Sequence, residues 1–268
     1  MNDVIKAAVL GIVEGITEFL PVSSTGHLIL FNQFITFEEE FTKKFDVVIQ
    51  LGAILAVALL YRKRLLPAAG GISGFFQSEA FDLWKKTIIG VVPALFAGAL
   101  FYKDIEKALF NPLGVSIALA VGGVALIILD RTRKGARIES VSSLDYRTAF
   151  FIGLVQCLAL FPGTSRSAAT IIGAMLLGCS RLVAVEFSFF LAIPTMVAAS
   201  VFSMSKIGFS LPSGEIVILA VGFTVSFAVA WIVVGAFIRY VSKRDFQPFG
   251  YYRIALAVIV ILYFNFLR

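Results

Sequence analysis

Long apolar segments follow one another along this chain from its first residues to its last. Six of them approach the roughly 20 residues that a helix needs to cross a bilayer. They lie at residues 45–61, 87–102, 114–129, 186–203, 215–238 and 253–267. Hydrophobic residues make up 59% of the 268 residues, and charged residues only 15%. This pattern predicts an all-α polytopic membrane protein with a single helical bundle.

Two further apolar segments, 4–34 and 147–177, are too short for two spans and too long for one. Each is interrupted near its middle, at Pro21 in the first and at Pro162-Gly163 in the second. Proline breaks a helix, and irregular backbone at membrane depth is tolerated only where it is buried in protein or faces water. We therefore predict a re-entrant helix pair in each segment.

The two halves of the chain repeat each other. At a constant offset of 142 residues, the segment 11–14 (GIVE) aligns with 153–156 (GLVQ), and Ser23 aligns with Ser165. One unit is a re-entrant pair followed by three transmembrane helices. A re-entrant pair enters and leaves on the same side of the membrane, whereas three spans end on the opposite side. The second unit must therefore be inserted with the opposite orientation to the first. This predicts two inverted-topology repeats, 1–129 and 147–268, joined by a basic linker at 130–146 within one membrane domain.

Positive charge is concentrated in the loops on one side of this predicted bundle. That side carries Arg62, Lys63, Arg64, Lys85, Lys86, Arg131, Arg133, Lys134, Arg137, Arg147, Arg181, Arg239, Lys243 and Arg244. The other side carries Lys6, Lys43, Lys44, Lys103, Lys107, Lys206 and Arg268. The positive-inside rule makes the first side cytoplasmic, so both termini and the mouth of the first hairpin face outward. No basic stripe interleaved with aromatic residues occurs, which argues against nucleic-acid binding.

The turn of the first hairpin collects polar groups that a lipid-facing helix would exclude. Glu14 and Glu18 are four residues apart, so they share one face of a helix. After the proline, the hydroxyls at 23–25 offer N-caps for a second helix, and Ser24 and His27 share a face of it. His27 is the single histidine of the chain. The free N–H groups at the start of that helix form an anion site.

The turn of the second hairpin reads Pro-Gly-Thr-Ser-Arg-Ser at 162–167, and Thr170 shares a helical face with Arg166. An arginine inside a membrane costs on the order of 2.5–3.5 kcal/mol on insertion scales, so it indicates a functional site by default. Inverted repeats bring their broken helices together near the midplane. A guanidinium, two helix N-termini and a row of hydroxyls in one place are typical of phosphate binding.

These motifs resemble the signatures of the undecaprenyl-pyrophosphate phosphatase (bacitracin-resistance) family. The resemblance rests on Glu-x-x-x-Glu at 14–18, Pro-Val-Ser-Ser-Thr-Gly-His at 21–27 and Pro-Gly-x-Ser-Arg-Ser-x-x-Thr at 162–170, and it extends over the whole chain. It implies hydrolysis of undecaprenyl pyrophosphate to undecaprenyl phosphate and inorganic phosphate, which recycles the lipid carrier of peptidoglycan synthesis in the bacterial inner membrane. It also implies dependence on a divalent cation, magnesium or calcium.

Residue types and the resemblance together give the charged candidates their expected roles. Arg166 is expected to bind the pyrophosphate and to stabilise charge on the transferring phosphoryl group. An ion pair between Arg166 and Glu18 that locks the two hairpins is a compatible alternative. Glu14 and Glu18 are expected to bind the metal or to transfer protons, because magnesium takes carboxylate oxygens together with substrate phosphates. A buried structural pair of acids is the alternative.

Ser24 is the expected nucleophile, with His27 as its base or as the acid for the leaving group. Two alternatives remain open, a phosphohistidine at His27 and direct attack by metal-activated water. The other polar residues of the two turns are expected to bind the substrate, although helix capping explains some of them. They are Ser23, Thr25, Gly26, Gly163, Ser165, Ser167 and Thr170.

A transporter is the alternative function. Inverted repeats with broken helices are the architecture of secondary transporters, which could carry a lipid phosphate or another anion across the bilayer. Such a protein needs Arg166 but neither a nucleophile nor a base, so Ser24 and His27 favour the enzyme. The sequence leaves open the prenyl chain length, the identity of the metal and whether the chain forms a homodimer.

Overall fold

A computed structural model of the chain describes residues 2–66, 71–109, 111–132, 135–207 and 213–267. Arg133, Lys134 and Arg268, three of the loop cations named above, lie outside the described residues. The described residues include a 3-10 turn at Cys157–Leu160 and a π-helical turn at Tyr263–Leu267. The helices are α1 (Asp3–Thr17), α2 (Ser24–Phe31), α3 (Glu39–Leu60), α4 (Arg62–Leu65), α5 (Gly71–Phe76), α6 (Glu79–Leu109), α7 (Pro112–Thr132), α8 (Tyr146–Gln156), α9 (Arg166–Leu176), α10 (Arg181–Ile207), α11 (Ser213–Val241) and α12 (Gln247–Leu262).

Five helices in the described part of the chain are long and apolar enough to cross a membrane. They are Glu79–Phe101, Pro112–Thr132, Arg181–Lys206, Gly214–Val241 and Gln247–Phe266, and they match five of the six predicted spans. The remaining predicted span lies in α3, which has 22 residues but begins with a run of charged side chains at 39–46. These helices make the chain a multi-pass helical membrane protein.

Both interrupted segments form two short helices joined by a turn. In the first, α1 ends at Thr17 and α2 begins at Ser24, so Pro21 lies in the turn. In the second, α8 and its 3-10 extension end at Leu160 and α9 begins at Arg166, so Pro162 lies in the turn. The proline positions therefore predicted both breaks correctly.

The helices of the two halves pack against each other in matched pairs. Helix α1 packs on α11 and its counterpart α8 packs on α6, while α3 packs on α10 and α7 on α12. Glycines allow the first two contacts to be close. A Cβ atom at Gly11 would lie 2.8 Å from the carbonyl oxygen of Gly222, and one at Gly153 would lie 1.8 Å from that of Gly90. Small residues at such crossings let the backbones of membrane helices approach.

Candidate active site

The two turns contact each other directly in the structure. Ser167 at the start of α9 donates from its hydroxyl to the carbonyl oxygen of Leu20 at 2.8 Å. Arg166, the residue before it, donates from Nη2 to Oε1 of Glu18 at 3.1 Å. The acidic end of α1 and the basic start of α9 therefore form one site.

The helices that leave the two turns begin in the same way. Ser23 and Ser165, which align at the offset of 142 residues, have φ angles of +73° and +69°. They are the two non-glycine residues with positive φ in the described ranges. Each serine caps its helix, because its Oγ accepts from the N–H group three residues later, at Gly26 or Ala168, at 3.2 Å. Left-handed backbone at a serine costs free energy and clusters at functional sites. Both turns are therefore held in a conformation that the helix caps stabilise.

The carboxylate of Glu18 connects the candidate nucleophile with the arginine. Its Oε2 accepts a hydrogen bond from the Ser24 hydroxyl at 2.9 Å, and its Oε1 accepts the bond from Arg166. The Glu18 side chain is 6% exposed, so the arginine compensates a charge that water hardly reaches. The ion pair weighed above is confirmed, and the hydroxyl proton of Ser24 faces a carboxylate base.

Arg166 is held by α10 as well as by Glu18. Its Nη1 donates to the carbonyl oxygen of Ser188 at 3.0 Å, and the guanidinium lies 5.6 Å from the ring centroid of Phe19. Thr170 supports this contact, because its Oγ1 lies 2.7 Å from the hydroxyl oxygen of Ser188. Nε of Arg166 is buried and has no hydrogen-bond partner in the described part of the chain. One donor of a fixed guanidinium thus remains for a ligand.

Glu14 lies one helical turn before Glu18 and is also buried, with 2% of the residue exposed against 7% for Glu18. Its Oε2 finds no hydrogen-bond partner among the described residues, and neither does Oδ1 of Asp46 on α3. Adjacent buried acids repel unless a cation or a proton lies between them. In the described ranges no three His, Cys, Asp or Glu side chains form a ready metal site. Two carboxylates do fit magnesium, which completes its octahedron with water and substrate phosphate.

The ring of His27 contacts Ser23 and Tyr252. Its Nδ1 lies 2.7 Å from the carbonyl oxygen of Ser23, and its Nε2 lies 2.6 Å from the hydroxyl of Tyr252 on α12. Ser24 and His27 are three residues apart and share the helix α2, but their side chains have different partners. In this structure the carboxylate of Glu18, and not the ring of His27, accepts the hydrogen bond from the Ser24 hydroxyl.

A cavity of about 560 Å³ opens from this site between α3, α6, α10 and the 3-10 turn. Its polar end is formed by Glu18, Ser24, Thr25, Gly163, Ser165 and Arg166. Much of its wall consists of small residues, including Ala94, Gly98, Ala99, Ala159, Ala198 and Ala199. A charged end that continues into an apolar groove fits an amphiphilic ligand with an anionic head.

The family model described as bacitracin resistance protein BacA matches this chain over residues 7–259. This chain belongs to the BacA family. It is 49% identical over 264 residues to undecaprenyl-diphosphatase 1 of Clostridioides difficile, covering 98% of this chain and 96% of that protein. It is 48% identical over 274 residues to undecaprenyl-diphosphatase of Limosilactobacillus fermentum, covering 100% and 99% of the two chains. The resemblance drawn from the motifs is therefore confirmed.

Several predicted substrate ligands of this BacA-family chain do not line the cavity and instead contact neighbouring parts of the protein. Ser167 bonds the Leu20 carbonyl, Thr170 bonds Ser188, and Gly26 packs on α7, where a Cβ atom would lie 3.0 Å from Leu119. Ser23 caps α2 through its hydroxyl. Among the predicted ligands, Thr25, Gly163 and Ser165 line the cavity.

Gly163 also has a conformational reason to be glycine. Its φ is +90°, and a Cβ atom there would lie 2.5 Å from the carbonyl oxygen of Val115 on α7. A side chain would therefore be strained and would push the second turn away from α7. The turn can pack closely against α7 because this position has no side chain.

Arg253 on α12 is a residue of this BacA-family site that the motif analysis missed. It is 0% exposed and donates only to backbone carbonyl oxygens in its described contacts, at 3.0–3.3 Å. The acceptors are Pro21 in the first turn, Gly163 and Thr164 in the second, and Ala118 and Leu119 in α7. One guanidinium thus ties both turns to α7. The rule that singled out Arg166, an arginine within an apolar segment, applies to Arg253 equally.

Proposed function

We propose that this chain is an integral membrane hydrolase that converts undecaprenyl diphosphate into undecaprenyl phosphate and inorganic phosphate. The observation that carries the proposal is the pairing of Ser24 and Arg166 on the two oxygens of Glu18, at the charged end of a cavity lined mostly by apolar residues. A diphosphate group fits the polar end and a prenyl chain fits the groove. Membership of the BacA family and the names of its relatives support the same reaction.

Ser24 is assigned as the nucleophile of this reaction. Its Oγ attacks the terminal phosphorus, and its proton passes to Oε2 of Glu18, the atom that it already faces at 2.9 Å. The bond from phosphorus to the bridging oxygen breaks and releases undecaprenyl phosphate. Water then attacks the phosphoserine and the bond from Oγ to phosphorus breaks. Oγ takes back the proton held by Glu18, and both protons of the water leave with inorganic phosphate as H₂PO₄⁻. The engagement of both His27 nitrogens by Ser23 and Tyr252 favours this route over a phosphohistidine.

Arg166 and the two helix starts bind the diphosphate in this assignment. The free Nε of the arginine donates to a phosphoryl oxygen and stabilises the charge that develops there. Thr25 and Ser165 line the same end of the cavity and donate hydrogen bonds from their hydroxyls. The N-termini of α2 and α9 add unpaired N–H groups, which favour a phosphate.

A divalent cation, magnesium or calcium, would be held by Glu14 and Glu18. It would neutralise charge on the diphosphate when bound. The unpartnered Oε2 of Glu14 supports this assignment, because a buried carboxylate oxygen without a donor fits a cation ligand.

The finer architecture is also a proposal. We infer two inverted repeats, each a re-entrant helix pair followed by three spans, from the matched caps at Ser23 and Ser165 and from helix contacts that recur when the halves are exchanged. From the family we infer that the chain lies in the bacterial inner membrane. From the loop charges we infer that both termini are outside and that the site opens to the outer side.

The test is release of inorganic phosphate from undecaprenyl diphosphate by detergent-purified protein with and without magnesium. We expect metal-dependent release that falls at least a hundredfold in Ser24→Ala and in Arg166→Ala. No release by folded wild-type protein under magnesium or calcium would overturn the proposal. Uptake of a lipid phosphate by reconstituted vesicles in that case would identify a transporter.

A further inference from the structure

Tyr252 on α12 makes a close polar contact with His27 on α2. Its hydroxyl oxygen lies 2.6 Å from Nε2 of the imidazole, and the two rings stack at a centroid distance of 5.6 Å and an interplanar angle of 11°. The Tyr252 side chain is 47% exposed, whereas His27 is 7% exposed. A phenylalanine would give the same stacking, so the contact that distinguishes tyrosine here is the hydroxyl.

The other ring nitrogen settles which atom carries the proton. Nδ1 lies 2.7 Å from the carbonyl oxygen of Ser23, and a carbonyl oxygen can only accept a hydrogen bond. Nδ1 therefore donates, and Nε2 of the neutral ring has a lone pair that accepts from the Tyr252 hydroxyl. The two contacts together select one tautomer and one ring orientation.

This contact chain leads from Tyr252 to the candidate nucleophile. The ring of His27 binds the carbonyl of Ser23, the residue that holds the left-handed backbone conformation, with φ +73°. Ser24 follows directly and donates to Glu18. A ring that lost its orientation would leave the Ser23 carbonyl with only the longer bond from the backbone N–H of His27, at 3.4 Å, and would loosen the backbone that aims the Ser24 hydroxyl.

We propose that Tyr252 is a positioning residue, which fixes the tautomer and orientation of His27 and through it the Ser23–Ser24 backbone. The inference rests on the proposed function, because its catalytic consequence requires Ser24 to take part in phosphate release. The contact itself does not depend on that reaction and is measurable without substrate.

The single histidine of the chain makes the test sharp. Protein labelled with ¹⁵N-histidine and purified on a tag without histidine gives one pair of ring resonances, which report the protonation of Nδ1 and Nε2. We expect wild type to show a single tautomer with the proton on Nδ1. In Tyr252→Phe we expect the Nε2 resonance to shift, kcat to fall about tenfold, which is the smaller of the losses typical of residues that orient metal-bound histidines, and KM to change less than twofold.

Tyr251→Phe is the matched control, because it removes a neighbouring hydroxyl that accepts a hydrogen bond from Arg131 on the protein surface. We expect the control to leave the ring resonances and kcat at wild-type values. Unchanged resonances in Tyr252→Phe would overturn the contact, and a shifted resonance with unchanged kcat would overturn the positioning role. If wild type releases no phosphate, the proposed function fails, while the resonances still decide whether Tyr252 fixes the tautomer.

Discussion

Arg166 donates from Nη2 to Oε1 of Glu18 at 3.1 Å, although 148 residues separate the two in the sequence. The arginine begins α9 and the glutamate caps α1, so each half of the chain supplies one partner. The two side chains are 11% and 6% exposed, and solvent therefore screens this pair only weakly. Neither half contains all the candidate residues, because Ser24 and Glu18 come from the first turn and Arg166 from the second.

Removal of either partner of this pair is expected to abolish most of the activity. Arg166→Ala and Glu18→Gln should each lower kcat for phosphate release by about a hundredfold to a thousandfold, the usual cost of a lost transition-state donor. Arg166→Lys should recover little, because an ammonium does not reproduce the forked guanidinium contacts.

Arg181→Ala is the control for these variants. It breaks another ion pair between helices, with Asp130 at 2.8 Å, away from the cavity. Its kcat should stay within about threefold of wild type, since electrostatic stabilisation of the transition state is confined to donors at the reacting group. Equal losses of kcat in Arg166→Ala and Arg181→Ala would mean that Arg166 contributes to folding and not to catalysis.

Arg253→Leu is expected to destabilise the protein as well as inactivate it. The change removes the donor of five backbone carbonyl oxygens that join both turns to α7. Hydrogen bonds from a charged group contribute about 1.5–3 kcal/mol each, and we expect a loss of about 3 kcal/mol after the structure relaxes. Thermal unfolding in detergent measures this loss of stability. The control is Arg131→Leu, which replaces an exposed arginine. A melting temperature equal to that of the control would contradict the role.

The apolar groove of the cavity predicts that kcat/KM depends on the length of the prenyl chain. Gly98 lines the cavity, and a Cβ atom there meets Leu160 at 3.5 Å, so a leucine side chain would extend into the groove. Gly98→Leu should lower kcat/KM for undecaprenyl diphosphate about tenfold, because part of the apolar area buried by the ligand is lost, and should affect a short prenyl diphosphate less. Gly235→Leu is the control, since a Cβ atom there has open space around it. Equal effects on both chain lengths would place the prenyl chain elsewhere.

Glu14→Gln is expected to weaken metal activation. The amide keeps the size of the side chain but loses the charge that favours a hard cation. The magnesium concentration for half-maximal activity should rise about tenfold, while saturating magnesium restores much of kcat. A titration of metal-stripped protein gives both values, and binding of manganese followed by electron paramagnetic resonance reports the site without substrate. Identical titrations for wild type and variant would remove Glu14 from the metal site.

Local sequence pattern predicted the breaks at the prolines, offered the hydroxyls of the two turns as helix caps, and allowed an ion pair between Glu18 and Arg166. These features depend on backbone rules and on the repeat, which act within one segment or relate two similar ones. Spacing did not predict the partner of His27. Residues three apart on a helix are neighbours, but each side chain turns to the best partner that the tertiary fold offers.

Contacts supplied by other helices were the part that the sequence did not predict. Ser188 on α10 and Tyr252 on α12 reach Arg166 and His27 only because those helices pack beside the turns. No motif marks either residue, since a serine or a tyrosine in an apolar helix usually serves packing or the membrane interface. Arg253 is different, because its charge within an apolar span is a signal in the sequence itself.

The most direct test of Ser24 as the nucleophile is to find which residue carries the phosphoryl group during turnover. Undecaprenyl diphosphate labelled with ³²P at the terminal phosphate is mixed with the protein, quenched within milliseconds in acid or in alkali, and the labelled peptide is identified by mass spectrometry. We predict acid-stable label on Ser24 and none in Ser24→Ala, which should also release phosphate at least a hundredfold more slowly. Alkali-stable label on His27, or rapid phosphate release by Ser24→Ala, would contradict the assignment of Ser24 as nucleophile.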